Sequence, residues 1–414
     1  MTQANTSRYI YILFLFTLTF GILLYNLIGT VLGFDYTDEV CALFLFVLYF
    51  IYLFQTKSWE INKAFLTTLL LFIFYLCYSL FIHSNTVAGI GSDFFIQIKP
   101  YLAFFCVYSM APKFDKHQKT VLRSVALLYW MILFFIGLSS LFYPDIIKLI
   151  MFHPTFYAAA VICTSLCYFY YSRFTSLDKL IFLLMLSIGI LSGRSKFYGF
   201  FALSVFVILF FLNTGQIKWN VRNILIVVCM FAAVVFVAWE KIFFYFYQAV
   251  TEDVEKDMIA RYILYATAPD ILRDYFPFGS GFASYATYAS GVYYSRIYAD
   301  YGIDGVWGLS RSYYSFIADT YYPSLVQFGV AGMALYLLFW IYLFRKALFF
   351  YRRTQNQPFF IIIILLIAYL AIEGTTDSTF VSNRGFFVMM LMGIVLVDMK
   401  RQYYSYFCHS QKNN

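Results

Sequence analysis

The feature that most constrains this chain is the recurrence of apolar runs long enough to cross a bilayer. Twelve follow one another, at about 9–32, 40–54, 64–82, 95–111, 121–142, 154–172, 179–193, 197–213, 223–244, 322–344, 358–376 and 385–398. A hydrocarbon core about 30 Å thick takes about 20 helical residues. In lipid only a helix or a closed barrel satisfies its own backbone, and continuous rather than alternating apolar runs select the helix. The expected fold class is an all-α polytopic membrane protein of about 12 transmembrane helices, with all 414 residues in one transmembrane domain. With 62% hydrophobic and 12% charged residues, the composition excludes an ordinary soluble domain. The first run is too long for a cleavable signal, and no small-residue cleavage site follows it.

Charge orients the bundle. With both termini in the cytoplasm, 18 of the 29 Lys and Arg fall in cytoplasmic segments, joined there by only four carboxylates, Glu60, Asp115, Asp178 and Asp398. The net charge of +8 is this inside bias and does not imply a nucleic-acid partner. The seven cysteines lie in or beside spans or in the tail, and the four histidines are scattered. That leaves no disulfide framework and no metal-ligand spacing, and no cofactor is expected.

The short connections are interrupted once. Between the ninth and tenth spans lies a loop of about 75 residues, 246–321, on the outer face. Loops of that length are usually functional. It opens with an acidic, helix-like piece (252–276), turns at PFGSGFASY (277–285) and is rich in tyrosine, with 15 between residues 241 and 322. Tyrosine offers a flat face and a hydroxyl to a sugar ring. Tyr265 and Tyr322 are candidate contacts of this kind. No internal repeat of the transporter type is present.

Several charges sit where lipid makes them costly. LSGRSKFYGF places Arg194 and Lys196 inside an otherwise apolar stretch, 180–212. Thirty-three helical residues would measure about 50 Å, too long for one span and too short for two full ones. Two short spans turning at 192–196 resolve the mismatch and aim Arg194 into an outward-facing cavity. Lys99 precedes the helix-kinking Pro100 near the outer end of the fourth span, either snorkelling or facing a polar cavity. Arg261, Arg273, Arg296 and Arg311 lie in the external loop. Asp319 stands at the mouth of the tenth span, and Glu373 and Arg384 flank the last external loop. Arginines grip phosphate bidentately. A lipid-borne diphosphate carrying a sugar would meet all these features at once.

Four stretches in this order resemble the O-antigen polymerase and ligase superfamily, the Wzy-type and WaaL-type glycosyltransferases. They are LSGRSK (191–196), Arg261 in RYILY, PFGSGFASY (277–285) and DTYYPSLVQFGVAGMALYL (319–337). Ligases of the group carry a histidine where the loop meets the next span. Here Ile317, Ala318, Asp319 and Thr320 occupy that place, which favours the polymerase branch. The resemblance implies a GT-C-like, metal-independent transferase in the bacterial inner membrane with an outward, periplasmic site. Undecaprenyl-diphosphate-linked oligosaccharides would be both donor and acceptor, and a flippase and a chain-length regulator possible partners. Arg194, Arg261 and Asp319 are then the expected catalytic residues. Lys99, Lys196, Arg273, Arg311, Tyr265, Tyr322 and Arg384 are the expected substrate contacts. An O-antigen ligase and a lipid-linked oligosaccharide flippase remain the alternatives.

Overall fold

The computed structural model describes residues 3–25, 36–55, 62–211 and 256–412. The expected ninth span, 223–244, and the first residues of the external loop lie outside the described residues. Helix α1 (Gln3–Phe16) continues through a π-helical turn to Leu23. It is followed by α2 (Thr37–Gln55), α3 (Lys63–Phe81), α4 (Val87–Met110) and α5 (Lys116–Ser140). A short α6 (Ile146–Met151) leads to α7 (Pro154–Tyr170), α8 (Ser176–Ser187) and α9 (Ser195–Phe206). The external segment contributes α10 (Lys256–Asp274), α11 (Tyr288–Val292) and α12 (Ile297–Asp300). Helices α13 (Gly329–Thr354), α14 (Gln357–Glu373) and α15 (Asn383–Lys412) complete the chain, and no strand occurs among the described residues.

Each expected span within the described residues coincides with a helix. Six helices are by themselves long and apolar enough to cross a membrane: Gln3–Leu23, α2, α3, α4, α5 and the continuous Pro323–Thr354. Helices α7 and α14 and the stretch Ser195–Leu209 are apolar but shorter. The chain is thus a helical protein of the membrane-embedded kind.

Burial sorts these helices into inner and outer ones. Nearly every residue of α7 is buried, and α15 is buried from Phe386 through Val397. A helix apolar on all sides belongs in the interior. By contrast α3 buries only Phe65, Tyr75 and Ser79, and leaves Leu70 57% and Phe81 84% exposed. Helices α2, α5 and α13 likewise turn large apolar side chains outward, a surface suited to hydrocarbon rather than water.

Two local features position the site. Helix α8 tightens into a 3₁₀ turn, Ile188–Ser192, and the chain then reverses at Gly193 (φ 66°) before α9 begins. The break falls where length against bilayer thickness placed it. The external segment also builds its own small core. Ala260, Leu264, Ala268 and Ile271 form one stripe of α10 and pack on Tyr285, Tyr298, Leu309 and Ile317. Tyr285 and Tyr298 are fully buried; Tyr285 donates to the Leu264 carbonyl at 2.8 Å. These two loop tyrosines are part of the packed core of this segment.

The PFGSGFASY turn fastens this segment to the bundle. Phe282 N–H donates to Ser79 Oγ (2.8 Å), Ala283 N–H to the buried carboxylate of Asp93 (2.7 Å) and Gly281 N–H to the Gln327 carbonyl (2.8 Å). Ser84 and Tyr78 donate back to the carbonyls of Phe282 and Gly279. The Phe282 ring is buried between Phe72, Phe94 and Phe328. The turn therefore joins α3, α4 and the lead into α13.

Candidate functional site

Charged side chains from five separate segments meet at the end of the bundle where α7, α9 and α15 begin and α14 ends. Glu373 closes α14, and the following loop supplies Asp377 and Thr379. Lys196, in the first turn of α9, places Nζ 2.6 Å from Glu373 Oε2 and 3.8 Å from Asp377 Oδ2. Arg384, in the first turn of α15, grips both oxygens of Asp377 at 2.9 and 3.1 Å. Its guanidinium also lies 4.7 Å from the centre of the Phe156 ring. Arg194, the residue preceding α9, hydrogen-bonds the imidazole of His153, which caps the start of α7.

The external segment closes over this group. Arg261 of α10 places Nε and Nη2 at 3.1 and 2.6 Å from one oxygen of Asp319. One turn on, Tyr265 donates to the Thr375 carbonyl at 2.7 Å. Tyr322 donates to the Ala371 carbonyl at 2.7 Å, and Ser378 hydrogen-bonds the Ala318 carbonyl. The loop after α14 is thereby held between the bundle below and α10 above.

Electrostatics follow from this crowding. Burial raises the Asp319 carboxyl above its ordinary range, against the opposing pull of Arg261. Burial acts the same way on Asp377, but the Arg384 and Lys196 cations overcome it and hold the group below the usual range. Partial burial and the neighbouring Arg194 cation push His153 down to about 4, although its outer edge stays open to solvent. At neutral pH the site therefore presents guanidinium and ammonium donors beside an uncharged imidazole. Groups of this kind can donate charge-assisted hydrogen bonds to a polyanion in exchange for those they make to Glu373, Asp377 and Asp319.

The structure brings together Arg194, Lys196, Arg261, Tyr265, Asp319, Tyr322 and Arg384. Three expected residues lie elsewhere. Lys99 is 4% exposed and faces no open cavity. It bonds Asp38 Oδ2 at 2.6 Å and also Glu39, so it neutralises the first turn of α2 instead of snorkelling. Arg273 is exposed and pairs with Asp270 and Asp274 on its own helix, because twelve residues from Arg261 does not return it to the same face. Arg311 is exposed and, among the described residues, makes no ion pair with this group.

Sequence reasoning missed His153, Asp377 and Phe156. His153-Pro154 is a helix start in which a histidine takes the capping place, a signal lost among four scattered histidines. Asp377 lies between Glu373 and Arg384, and its pairing with both cations required the loop's path.

No known protein family matches the chain, and no curated protein does. The class is set by the fold and site themselves: a helical, membrane-type protein with a charged polar site at one end of the bundle, covered by the segment that carries α10.

Proposed function

We propose that the protein is a polysaccharide polymerase of the O-antigen type, set in the bacterial inner membrane with this site at the periplasmic face. It joins oligosaccharide repeat units carried on undecaprenyl diphosphate, one lipid-linked glycan acting as donor and a second as acceptor. The observation that carries this reading is the convergence of Arg194, Lys196, Arg261 and Arg384 from three segments on one end of an apolar bundle. A membrane-borne diphosphate is the ligand that needs both the apolar body and the cations.

In the reaction a sugar hydroxyl of the acceptor attacks the anomeric carbon of the donor. The new glycosidic bond forms as the bond from that carbon to the diphosphate oxygen breaks, and lipid diphosphate leaves with the bonding pair. Arg194 and Arg261, with Lys196 beside them, stabilise the charge that grows on the leaving oxygens. Asp319 orients Arg261. Asp319 meets Arg261 through one oxygen only, and its carboxyl, raised by burial, takes the hydroxyl proton. Tyr265 and Tyr322 flank the loop over which the sugar would lie.

Full-length protein reconstituted with lipid-linked repeat units tests the reading. The wild type should yield a ladder of lengthened glycans, and Arg194→Ala and Arg261→Ala should abolish it while inserting normally. Variants that insert and still build long chains would overturn the assignment. Attachment of finished glycan to an acceptor lipid without lengthening would instead mark a ligase, and lipid-linked sugar translocation without bond formation a flippase.

A further inference from the structure

At the end of the bundle opposite this site, two lysines share one aromatic ring. Lys346 of α13 lies 4.9 Å from the centre of the Tyr108 ring and 5.0 Å from that of Tyr342. Lys400 of α15 lies 5.7 Å from the Tyr108 centre and 5.9 Å from that of Tyr404. Tyr108, near the far end of α4, is only 6% exposed, and Phe104 stacks against it. Both lysines are half-buried, and among the described residues neither is paired with a carboxylate. Asp398, the acidic residue nearest in sequence, is taken by Lys119, Arg401 and Tyr170.

We infer that Lys346 and Lys400, set on Tyr108, form a binding site for the phosphate of an anionic phospholipid in the leaflet away from the candidate active site. Two like charges held at one ring repel each other, and ring contacts return only about 0.5–2 kcal/mol apiece. An anion between them removes that conflict. Lys346 uses one donor on the Tyr108 hydroxyl, at 3.2 Å, and keeps two for phosphate oxygens. Depth identifies the source of the phosphate. Lys400 follows Arg384 by sixteen residues of one helix, about 24 Å along its axis, which brings it to the far boundary of a hydrocarbon core about 30 Å thick. Lys346 stands at the same level, seventeen residues after Gly329. Leu338 and Phe349, which share its side of α13 by helical spacing, are 57% and 46% exposed and offer an apolar bed for acyl chains.

The test uses purified full-length protein in zwitterionic detergent, titrated with phosphatidylglycerol, phosphatidylcholine or inorganic phosphate. Thermal unfolding and native mass spectrometry of bound lipid are the readouts. Phosphatidylglycerol should bind and raise the unfolding temperature; phosphatidylcholine should do so much more weakly. A basic residue at the membrane surface contributes about a fivefold affinity, so Lys346→Gln with Lys400→Gln should weaken binding ~30-fold. The exposed Arg352→Gln, outside the site, should leave it nearly unchanged. Lys400→Gln alone, expected to lose about fivefold, reads the same site if the double variant does not fold. Wild-type binding by the lysine variants would overturn the inference. Equal loss in the arginine variant, or inorganic phosphate matching the lipid, would overturn it as well.

Discussion

The external segment reaches the bundle through a backbone contact that tolerates no side chain, and Gly279→Ala measures it. Gly279 adopts φ 82°, and a Cβ there would lie 2.2 Å from Gly329 N and 2.4 Å from the Val326 carbonyl oxygen. Those atoms belong to the lead into α13 and cannot rotate away as a flexible side chain would. An L-residue in left-handed backbone costs about 1–2 kcal/mol. Parting two packed segments adds about 1–3 kcal/mol. The expected loss is therefore about 2–5 kcal/mol. Gly302→Ala is the control, since Gly302 also has positive φ (65°) but no atom within 4 Å of its would-be Cβ. It should cost only the conformational part, about 1–2 kcal/mol. Thermal unfolding in detergent gives the comparison, and limited proteolysis shows whether the external segment loosens first. Equal destabilisation by the two substitutions would refute the argument, because the clash would then contribute nothing.

Other outcomes follow from the ion pairs. Asp377→Asn strips the shielded Arg384 of its bidentate partner and should destabilise by about 3 kcal/mol. Asp319→Asn, at a more open pair, should cost about 1 kcal/mol in the same unfolding assay. Lys99→Met leaves Asp38 and Glu39 facing each other without their cation and should cost about 3–5 kcal/mol, recovered largely by adding Asp38→Asn and Glu39→Gln. Its glycan-extending activity per folded molecule should stay at the wild-type level, because Lys99 lies outside the site. His153 gives a pH signature. The unfolded ring takes a proton near its ordinary 6.5, the folded one only at about 4, so stability should fall as pH drops through that window. His153→Asn should flatten that slope in unfolding scans between those two pH values.

Much of the fold was legible because lipid imposes a one-dimensional rule. A run of apolar residues must be helical and must match a thickness, so span positions and the break at 192–196 follow from counting. The same arithmetic explains why Arg194 and Lys196 stand at a helix start, where no regular span could hold them. Spacing also marked α10, through the stripe from Ala260 to Ile271.

Pairing was not legible. Lys99, Lys196 and Arg273 are each a cation among apolar or helical neighbours in the sequence, yet one neutralises α2, one enters the site and one stays in solvent. The tyrosines divide in the same way: Tyr285 is core, whereas Tyr265 ties α10 to the loop after α14. Coulombic and hydrogen-bonded contacts act over a few ångströms. They depend on which helices are neighbours, and the apolar periodicity of a membrane chain says little about that. The sequence by itself determined a bundle of apolar, membrane-type helices with charges at its ends and one long insertion. Only the tertiary structure decided that His153, Asp377 and Glu373 meet Arg194, Lys196 and Arg384 at a single place, because that meeting joins residues up to 231 positions apart.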